Sequence, residues 1–336
     1  NFRNEIIKKS NLPIIKQSVN LELTKHELPK FFYDSTPCPY RQKGGSVEAE
    51  KLLQSFLNKR GENYQFEMSS PITAEKSCSR LSTHLTYGTI SHRTVFQEAA
   101  KKRDLIKHTN KNFAKSINSF LSRLHWRSHF IQKLEDQPSI EHASFIPVYD
   151  QIREKDEEKL EAWIEGKTGV HFIDACMIYL RNHGWINFRM RAMLASFASY
   201  NLWLDWRYFA PRLAALFTDF EPGIHYSQIQ MQSGTTGINT IRMYNPYKQA
   251  MDQDPLGKFI KSQIPEVKNF PPAFFHNPPK KSLNVNLFDN EFQKEIINVK
   301  ETAQYARKKI FDIRKSQEHK ILAKNVYLKH GSRGRN

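Results

Sequence analysis

The chain has 336 residues, of which 39% are hydrophobic and 12% aromatic, and this composition excludes a wholly disordered protein. Lys and Arg together number 51 against 34 Asp and Glu, and the net charge of +17 favours a polyanionic partner, with nucleic acid first. A well-solvated basic surface without such a partner is the alternative.

Three cysteines lie far apart in the sequence, at Cys38, Cys78 and Cys176. Without a C-x-x-C spacing they cannot form a zinc ribbon or supply four cluster thiolates, and they indicate a reducing compartment. No secretory signal is visible. The longest apolar stretch, Ala192–Leu204, is shorter than the ~20 residues of a membrane span. A stretch of this length that is apolar on nearly all sides predicts a central core helix. We therefore predict a cytoplasmic protein, nucleoid-associated in a bacterium, with no membrane partner and no metal.

The predicted elements divide the chain into three parts. Residues 1–45 are polar with several prolines and are predicted to form an arm or linker. From residue 46 to 270, apolar residues recur at helical spacing and strand-like alternation is almost absent, which predicts an all-α domain. Within it, Glu221–Asn239 is predicted to be a long irregular loop. Residues 271–336 comprise a proline-rich hinge, a predicted helix over Glu291–Ala323 and a basic tail.

Short motifs run through the predicted domain in a fixed order. They are Gly44-Gly45-Ser46-x-x-Ala49, Ser79-Arg80-Leu81-Ser82, Trp163-x-x-Gly166-x-Thr168-Gly169, Gly184-Trp185, Asp205-Trp206-Arg207, Arg242-x-x-Asn245-Pro246 and Asp254-Pro255-x-Gly257-x-Phe259-Ile260. This series resembles the helical FAD-binding domain of the cryptochrome/photolyase family. The family's usual amino-terminal α/β antenna domain is expected to be absent, and the lack of an initiating Met indicates a trimmed or partial chain.

The resemblance implies an all-helical fold that holds one noncovalent FAD in a bent form. A dinucleotide diphosphate needs N–H groups, short hydroxyls and a cation, which Ser79-Arg80-Leu81-Ser82 offers. A buried arginine needs an acidic partner, and Asp219 is the expected partner of Arg191 beside the flavin, although Phe217 replaces a second family aspartate. A purely structural ion pair is the alternative. The implied cofactor-binding residues are Ser79, Arg80, Leu81, Ser82, Phe120, Arg127, Phe188, Arg191 and Asp219.

The resemblance also implies a relay of oxidisable aromatic residues from the flavin to the surface. Trp206 matches the middle member of the family's tryptophan triad, while Ser227 and Arg153 occupy the other two positions. Tyr226 and Tyr149 are the expected substitutes. Core packing of every aromatic residue is the alternative, since it is the usual role of tryptophan in a helical domain. The predicted electron relay consists of Trp206, Tyr226 and Trp185.

The segment Arg123-Leu124-His125-Trp126-Arg127 resembles the family's lesion-contacting motif, E-x-x-W-R, with Arg in place of the glutamate. Phe188 likewise stands where the family has an asparagine. The predicted lesion pocket consists of Trp126, Arg123 and His125, with the indole for stacking and a histidine as the proton donor that a different photoproduct needs. The alternative is a solvated basic helix face formed by Arg123, His125, Arg127 and His129.

These features predict a light-driven DNA photolyase of the deoxyribodipyrimidine photo-lyase type, in which excited reduced FAD donates an electron to a pyrimidine photoproduct. The expected partner is UV-damaged DNA, and the expected state is a monomer. The alternative function is a cryptochrome-like blue-light photoreceptor that signals through a protein partner. The replaced lesion-contacting residues favour this alternative, whereas the basic charge favours DNA.

Overall fold

The computed structural model describes residues 8–14, 36–277 and 294–330. In these three ranges the chain forms helices and turns, with one isolated bridge between Glu154 and Leu204 and no sheet. The predicted all-α fold is confirmed. None of the described helices combines the length and the apolar character of a bilayer span.

The first half of the chain forms a helical layer around one long helix. Its helices are α1 (Ser46–Ser55), α2 (Tyr64–Glu67), α3 (Pro71–Ser77), α4 (Ser82–Thr86), α5 (His92–Ile106) and α6 (Lys111–Asp136). Side-chain caps determine where helices begin: Ser91 Oγ accepts from the Thr94 N–H at the start of α5, and Asn110 Oδ1 accepts from the Phe113 N–H at the start of α6.

Helix α6, with 26 residues, is the long central helix of this layer. Its buried apolar residues recur every three or four positions, as an amphipathic helix requires: Phe113, Ile117, Phe120, Leu121 and Leu124. They form one apolar cluster with residues of α1 and α5.

The second half of the chain contains the main core. Its helices are α7 (Glu157–Glu165), α8 (His171–His183), α9 (Phe188–Ser196), α10 (Trp206–Ala215), α11 (Pro222–Ser233), α12 (Pro246–Gln253), α13 (Lys258–Gln263) and α14 (Pro272–His276). Helix α9 continues into a π-helical turn, Phe197–Asn201, and every residue from 192 to 202 is buried. The central core helix predicted there is confirmed. It ends before Trp203, which has a left-handed backbone with φ 58°.

The prediction of an irregular loop over Glu221–Asn239 is wrong, because much of this segment forms helix α11. Pro222 stands in the first helical turn, where its missing N–H is tolerated, and Gly234 ends the helix in the left-handed conformation with φ 72°. Helix α11 is buried on several sides, so its sequence lacks the one-sided apolar period of a surface helix.

Helix α11 crosses α6 in close contact. At the crossing a Cβ on Gly223 would lie 2.7 Å from Ile131 Cα and 3.2 Å from the Phe130 carbonyl oxygen. Only glycine fits there without a shift of one helix. The crossing therefore fixes the residues of α11 relative to those of α6.

The single helix predicted over Glu291–Ala323 is also wrong. Two helices, α15 (Val299–Lys315) and α16 (Gln317–His330), meet at Ser316, whose backbone is extended. The hydroxyl of Ser316 accepts a hydrogen bond from the His319 N–H and so starts α16.

Helices α15 and α16 pack on the main core. Asn201 Nδ2 donates to Val299 O at 3.1 Å, and Ala306 and Ile310 of α15 are fully buried. The division of the chain at residue 270 stays a prediction. Most of the predicted arm and the end of the predicted basic tail, residues 331–336, lie outside the described residues.

Candidate cofactor site and aromatic path

The loop between α3 and α4 carries the residues predicted to contact the cofactor diphosphate. Arg60 supports its backbone, since Nη1 donates to Cys78 O at 2.6 Å and Nη2 donates to Ser79 O at 3.2 Å. Ser79 Oγ accepts from the Leu81 N–H at 3.4 Å, and the Leu81 side chain is buried. Ser82 is the first residue of α4. Arg60 and the buried Leu81 side chain thus fix the loop on its core side, whereas Ser79 and Ser82 are partly exposed.

Arg80 lies in this loop with a left-handed backbone, φ 62°, which is strained for a residue with a Cβ. Its buried guanidinium lies 3.8 Å from the centre of the Trp185 ring, and Nε donates to Gln42 Oε1 at 3.3 Å. Among the described residues its buried Nη1 has no hydrogen-bond partner. An open, buried cationic donor fits an anionic ligand group, and the diphosphate of FAD is such a group.

Arg191, on α9, makes the predicted ion pair with Asp219. Nη1 and Nη2 lie 3.0 and 2.9 Å from the two carboxylate oxygens, and Nε donates to Ile186 O at 2.6 Å. Phe217, at the position of the missing family aspartate, has its ring centre 4.2 Å from the guanidinium. Burial lowers the pKa of Arg80, and Asp219 is among the groups that oppose this shift, so the loop and the ion pair border one region. The contact of the pair with flavin stays a prediction.

Four aromatic rings, each next to the following one, connect this ion pair to Trp206. They are Phe217, His225, Tyr226 and Trp206, and we call them the aromatic path. Ring centres lie 6.2 Å apart for Phe217 and His225, 5.3 Å for His225 and Tyr226, and 6.3 Å for Tyr226 and Trp206. Trp206 is buried, and its Nε1–H donates to Ser144 Oγ at 2.9 Å. Because Tyr226 and Trp206 are oxidisable, the path suits one-electron transfer.

His225 is neutral within the aromatic path. Burial lowers its pKa to about 4, and Nε2–H donates to Ala210 O at 3.0 Å. A neutral ring places no second positive charge next to Arg191.

The other predicted relay positions are not joined to this path. Ser227 is buried, and its Oγ has no hydrogen-bond partner in the part of the chain that the structure describes. Tyr149 hydrogen-bonds with His319 at 2.9 Å, and Trp185 lies under Arg80. Of the predicted relay, the structure brings only Trp206 and Tyr226 into contact.

Helix α6 exposes part of the predicted lesion pocket. Trp126 is 42% exposed, and its ring stacks on Phe130 with the ring centres 5.6 Å apart. Arg123, one helical turn earlier, is exposed as well. His125 packs edge-on against Phe96 at 5.3 Å and is only partly exposed. An aromatic surface next to a cation therefore remains open on this helix.

Arg127 turns inward from the same helix. Its Nη2 lies 3.4 Å from Glu221 Oε2 and 3.4 Å from Leu85 O, so it links α6 to the start of α11 and the end of α4. The four basic residues of this segment thus do not form one solvated face.

Two further predicted cofactor residues differ in exposure. Phe120 is buried, with ring centres 4.8 Å from Phe56 and 6.2 Å from Tyr64. Phe188, the first residue of α9, is 54% exposed. The structure does not bring these two rings together, and their contact with FAD stays a prediction.

Reasoning from the sequence missed three residues of this region: Arg60, Glu221 and His225. Arg60 acts on a loop almost twenty positions away, and no local pattern marks such a contact. Glu221 precedes a proline at a helix start, and this signal could have located α11 and with it the inward position of His225.

Residues 120–319, more than half of the chain, match the family model described as the FAD binding domain of DNA photolyase. The chain belongs to the photolyase/cryptochrome family. FAD is the cofactor of this domain, as the resemblance implied.

Relatives in this family include both repair enzymes and cryptochromes. A deoxyribodipyrimidine photo-lyase of Streptomyces griseus is 30% identical over 243 residues, which cover 72% of this chain and 50% of that protein. Cryptochrome-2 of Arabidopsis thaliana is 30% identical over 290 residues, which cover 81% of this chain and 46% of the plant protein. The chain spans about half the length of these curated relatives.

A solved structure supports the same assignment. An archaeal photolyase from Sulfolobus tokodaii, described with two FAD molecules, superposes with a TM-score of 0.65 at 30% identity. The match covers 80% of this chain and 56% of the archaeal one. Family membership is thus shown by sequence and by structure, and it leaves open the choice between repair and signalling.

Proposed function

We propose that this protein is a light-driven DNA repair flavoprotein of the photolyase type, which acts on a pyrimidine photoproduct flipped out of duplex DNA. The observation that carries the proposal is the exposed Trp126 indole, stacked on Phe130 and close to the exposed Arg123. A flipped base gives up its stacking, and an open aromatic ring can replace it. A neighbouring cation, in a chain with a net charge of +17, suits the phosphate backbone.

When bound and reduced, FAD supplies a light-driven donor of one electron. Ser79, Arg80 and Ser82 would hold its diphosphate, and Arg191 with Asp219 would lie at the flavin ring. Arg80 has a buried donor without a partner among the described residues, so it could bind the diphosphate without first breaking a hydrogen bond of Nη1.

The aromatic path would carry electrons from an external reductant, such as a thiol in solution, to the oxidised cofactor and so return it to its reduced state. Tyr226 and Trp206 are its oxidisable members, and their ring centres lie 6.3 Å apart. The indole N–H of Trp206 is hydrogen-bonded to Ser144 Oγ, which fixes the orientation of the ring towards Tyr226.

A cryptochrome-like photoreceptor that signals through a protein partner is the second candidate. Arg123 and Phe188 favour it, because they replace the glutamate and asparagine that the family resemblance places on damaged bases. Phe188 is exposed and apolar and offers no hydrogen bond to a pyrimidine.

The test uses the FAD-loaded protein in reductant, with oligonucleotides that each carry one pyrimidine photoproduct, in blue light and in darkness. Photoproduct loss only in light supports repair. Trp126→Ala should lower the preference for damaged over intact duplex by at least fivefold, since base–aromatic stacking contributes about 1–3 kcal/mol. Arg123→Gln is the matched control: it should keep the preference and reduce the slope of log K against log salt by about 0.9 if it contacts one phosphate. Equal binding of both duplexes, without repair in light, would favour the photoreceptor.

A further inference from the structure

A group of buried polar side chains lies beneath the C-terminal helices, remote in sequence from the diphosphate loop. Arg153 is 7% exposed, and its guanidinium donates through Nε to Ser199 O at 3.0 Å and through Nη2 to Ser233 O at 2.8 Å. Its Nη1 is buried and has no hydrogen-bond partner among the described residues. The carbonyl oxygens of Ser199 and Ser233 thus accept from Nε and Nη2, and the N–H groups of Nη1 are left without a hydrogen bond.

A second guanidinium, that of Arg314, lies on α15, whose buried Ala306 and Ile310 pack in one apolar cluster with Tyr200. Arg314 Nη2 donates to Asn239 O at 2.8 Å, while its buried Nε lacks a hydrogen-bond partner in the described ranges. Over the described ranges no Asp or Glu oxygen comes within 4.0 Å of a nitrogen of Arg153 or Arg314. A buried cation without a hydrogen-bonded anion carries a large desolvation penalty. Around Arg153 the Asp205 charge and the rings of Tyr200 and Trp203, whose centres lie 5.6 and 4.8 Å from the guanidinium carbon, offset part of this penalty but do not bond to Nη1.

Neutral hydroxyl groups complete the group. Tyr200 is fully buried, and neither its hydroxyl nor those of Ser199 and Ser233 have a hydrogen-bond partner among the described residues. Burial raises the pKa of Tyr200 to about 12, and the nearby guanidiniums of Arg153 and Arg314 oppose that shift. The tyrosine is therefore a proton donor and not a counter-ion at neutral pH.

We propose that Arg153, Arg314, Tyr200, Ser199 and Ser233, here called the Arg153 cluster, bind a small inorganic anion. Every open group in the cluster is an N–H or an O–H, so the ligand must accept hydrogen bonds and carry negative charge. Chloride, phosphate and sulfate share this chemistry, and the size of the space available to them decides which one binds.

The anion would join two parts of the chain. Arg153, Tyr200 and Ser233 belong to the main core, whereas Arg314 belongs to α15, which packs on the π-helical turn. Binding would thus stabilise the docking of the C-terminal helices, independently of DNA and of photochemistry.

The test measures the thermal unfolding midpoint of the FAD-loaded full chain at pH 7 and constant ionic strength. Sodium chloride, phosphate or sulfate replaces sodium gluconate, whose anion is too bulky to enter a buried site. We expect a saturating rise for at least one of them, of about 5 °C at a hundredfold excess over its Kd. Arg314→Gln and Tyr200→Phe should each weaken the apparent affinity at least tenfold. Arg307→Gln, an exposed position on the same helix, removes the same charge and should leave the affinity unchanged.

The proposal is overturned by an equal rise in all variants, or by a rise that never saturates and so reflects general salt effects. If Arg314→Gln does not fold, Tyr200→Phe keeps the test valid, because it removes only one hydroxyl. Crystals soaked in bromide supply a direct readout: an anomalous peak between Arg153 and Arg314 supports the site, and no peak there refutes a halide-binding one, leaving the phosphate and sulfate titrations to decide.

Discussion

Asp219→Asn would remove the negative charge that faces Arg191 while keeping the size of the side chain. The carboxylate is 3% exposed and makes two bonds, of 3.0 and 2.9 Å. Removing one partner of a buried ion pair costs about 3–5 kcal/mol. The Arg191 side chain is 25% exposed and keeps its bond to Ile186 O, so water offsets part of that penalty. We expect a loss of about 2–3 kcal/mol in the free energy of unfolding.

Urea unfolding of the FAD-loaded protein, followed by far-UV circular dichroism, measures this loss. Asp312→Asn is the control, since Asp312 is 57% exposed and its ion pair with Lys315 is long, at 3.9 Å. Such surface changes alter the free energy of unfolding by no more than about 0.5 kcal/mol. A loss at Asp219 no larger than in the control would refute the assignment of a buried ion pair. Combining Asp219→Leu with Arg191→Met should cost less than the sum of the single changes, because no charge is then left unpaired.

Two further predictions concern the aromatic path. Trp206→Phe should slow the light-driven reduction of bound FAD without releasing it, whereas Trp203→Phe, whose ring contacts Tyr305 outside the path, should not; equal rates in both variants would exclude Trp206 from the relay. Burial lowers the pKa of His225 to about 4, against about 6.5 in the unfolded chain. Above pH 6.5 the ring is neutral in both states and costs no stability. As pH falls from 6.5 towards 4 the unfolded chain binds a proton first, so the free energy of unfolding falls by about 3 kcal/mol in total. His225→Gln should retain more of its stability between pH 7 and pH 5 in urea unfolding, and an unchanged fall would contradict this account.

The fold class could be predicted from the sequence because helix α6 and the core helix α9 carry strong signals. Buried residues of α6 such as Ile117 and Leu124 recur at helical spacing. The largely apolar stretch from Ala192 to Leu204 carries no charged residue, which is typical of a helix buried on all sides. Helix α11 could not be predicted in this way, since it is buried on several sides and has no apolar period.

The site was predictable only where one residue type demands a particular partner. A buried Arg191 required an acid or a phosphate, and the family resemblance indicated Asp219, which makes the ion pair from 28 positions away. The stacking of Arg80 on Trp185 could not be foreseen, because it depends on the strained backbone of the loop and on packing between elements that are distant in sequence. Tertiary contacts of this kind leave no local pattern.

The close crossing at Gly223 would limit how the protein responds to a DNA duplex in the proposed repair reaction. With the two backbones in contact, sliding or tilting α6 against α11 would cause a steric clash at Gly223, so Trp126 on α6 is held in position relative to Tyr226 on α11. In the proposed repair reaction the conformational change would then occur in the DNA. The damaged bases would rotate out of the stack, while helices α6 and α11 would keep their relative position. Selectivity would follow from how readily a lesion leaves the stack, and the association rate would track the opening frequency of the damaged base pair.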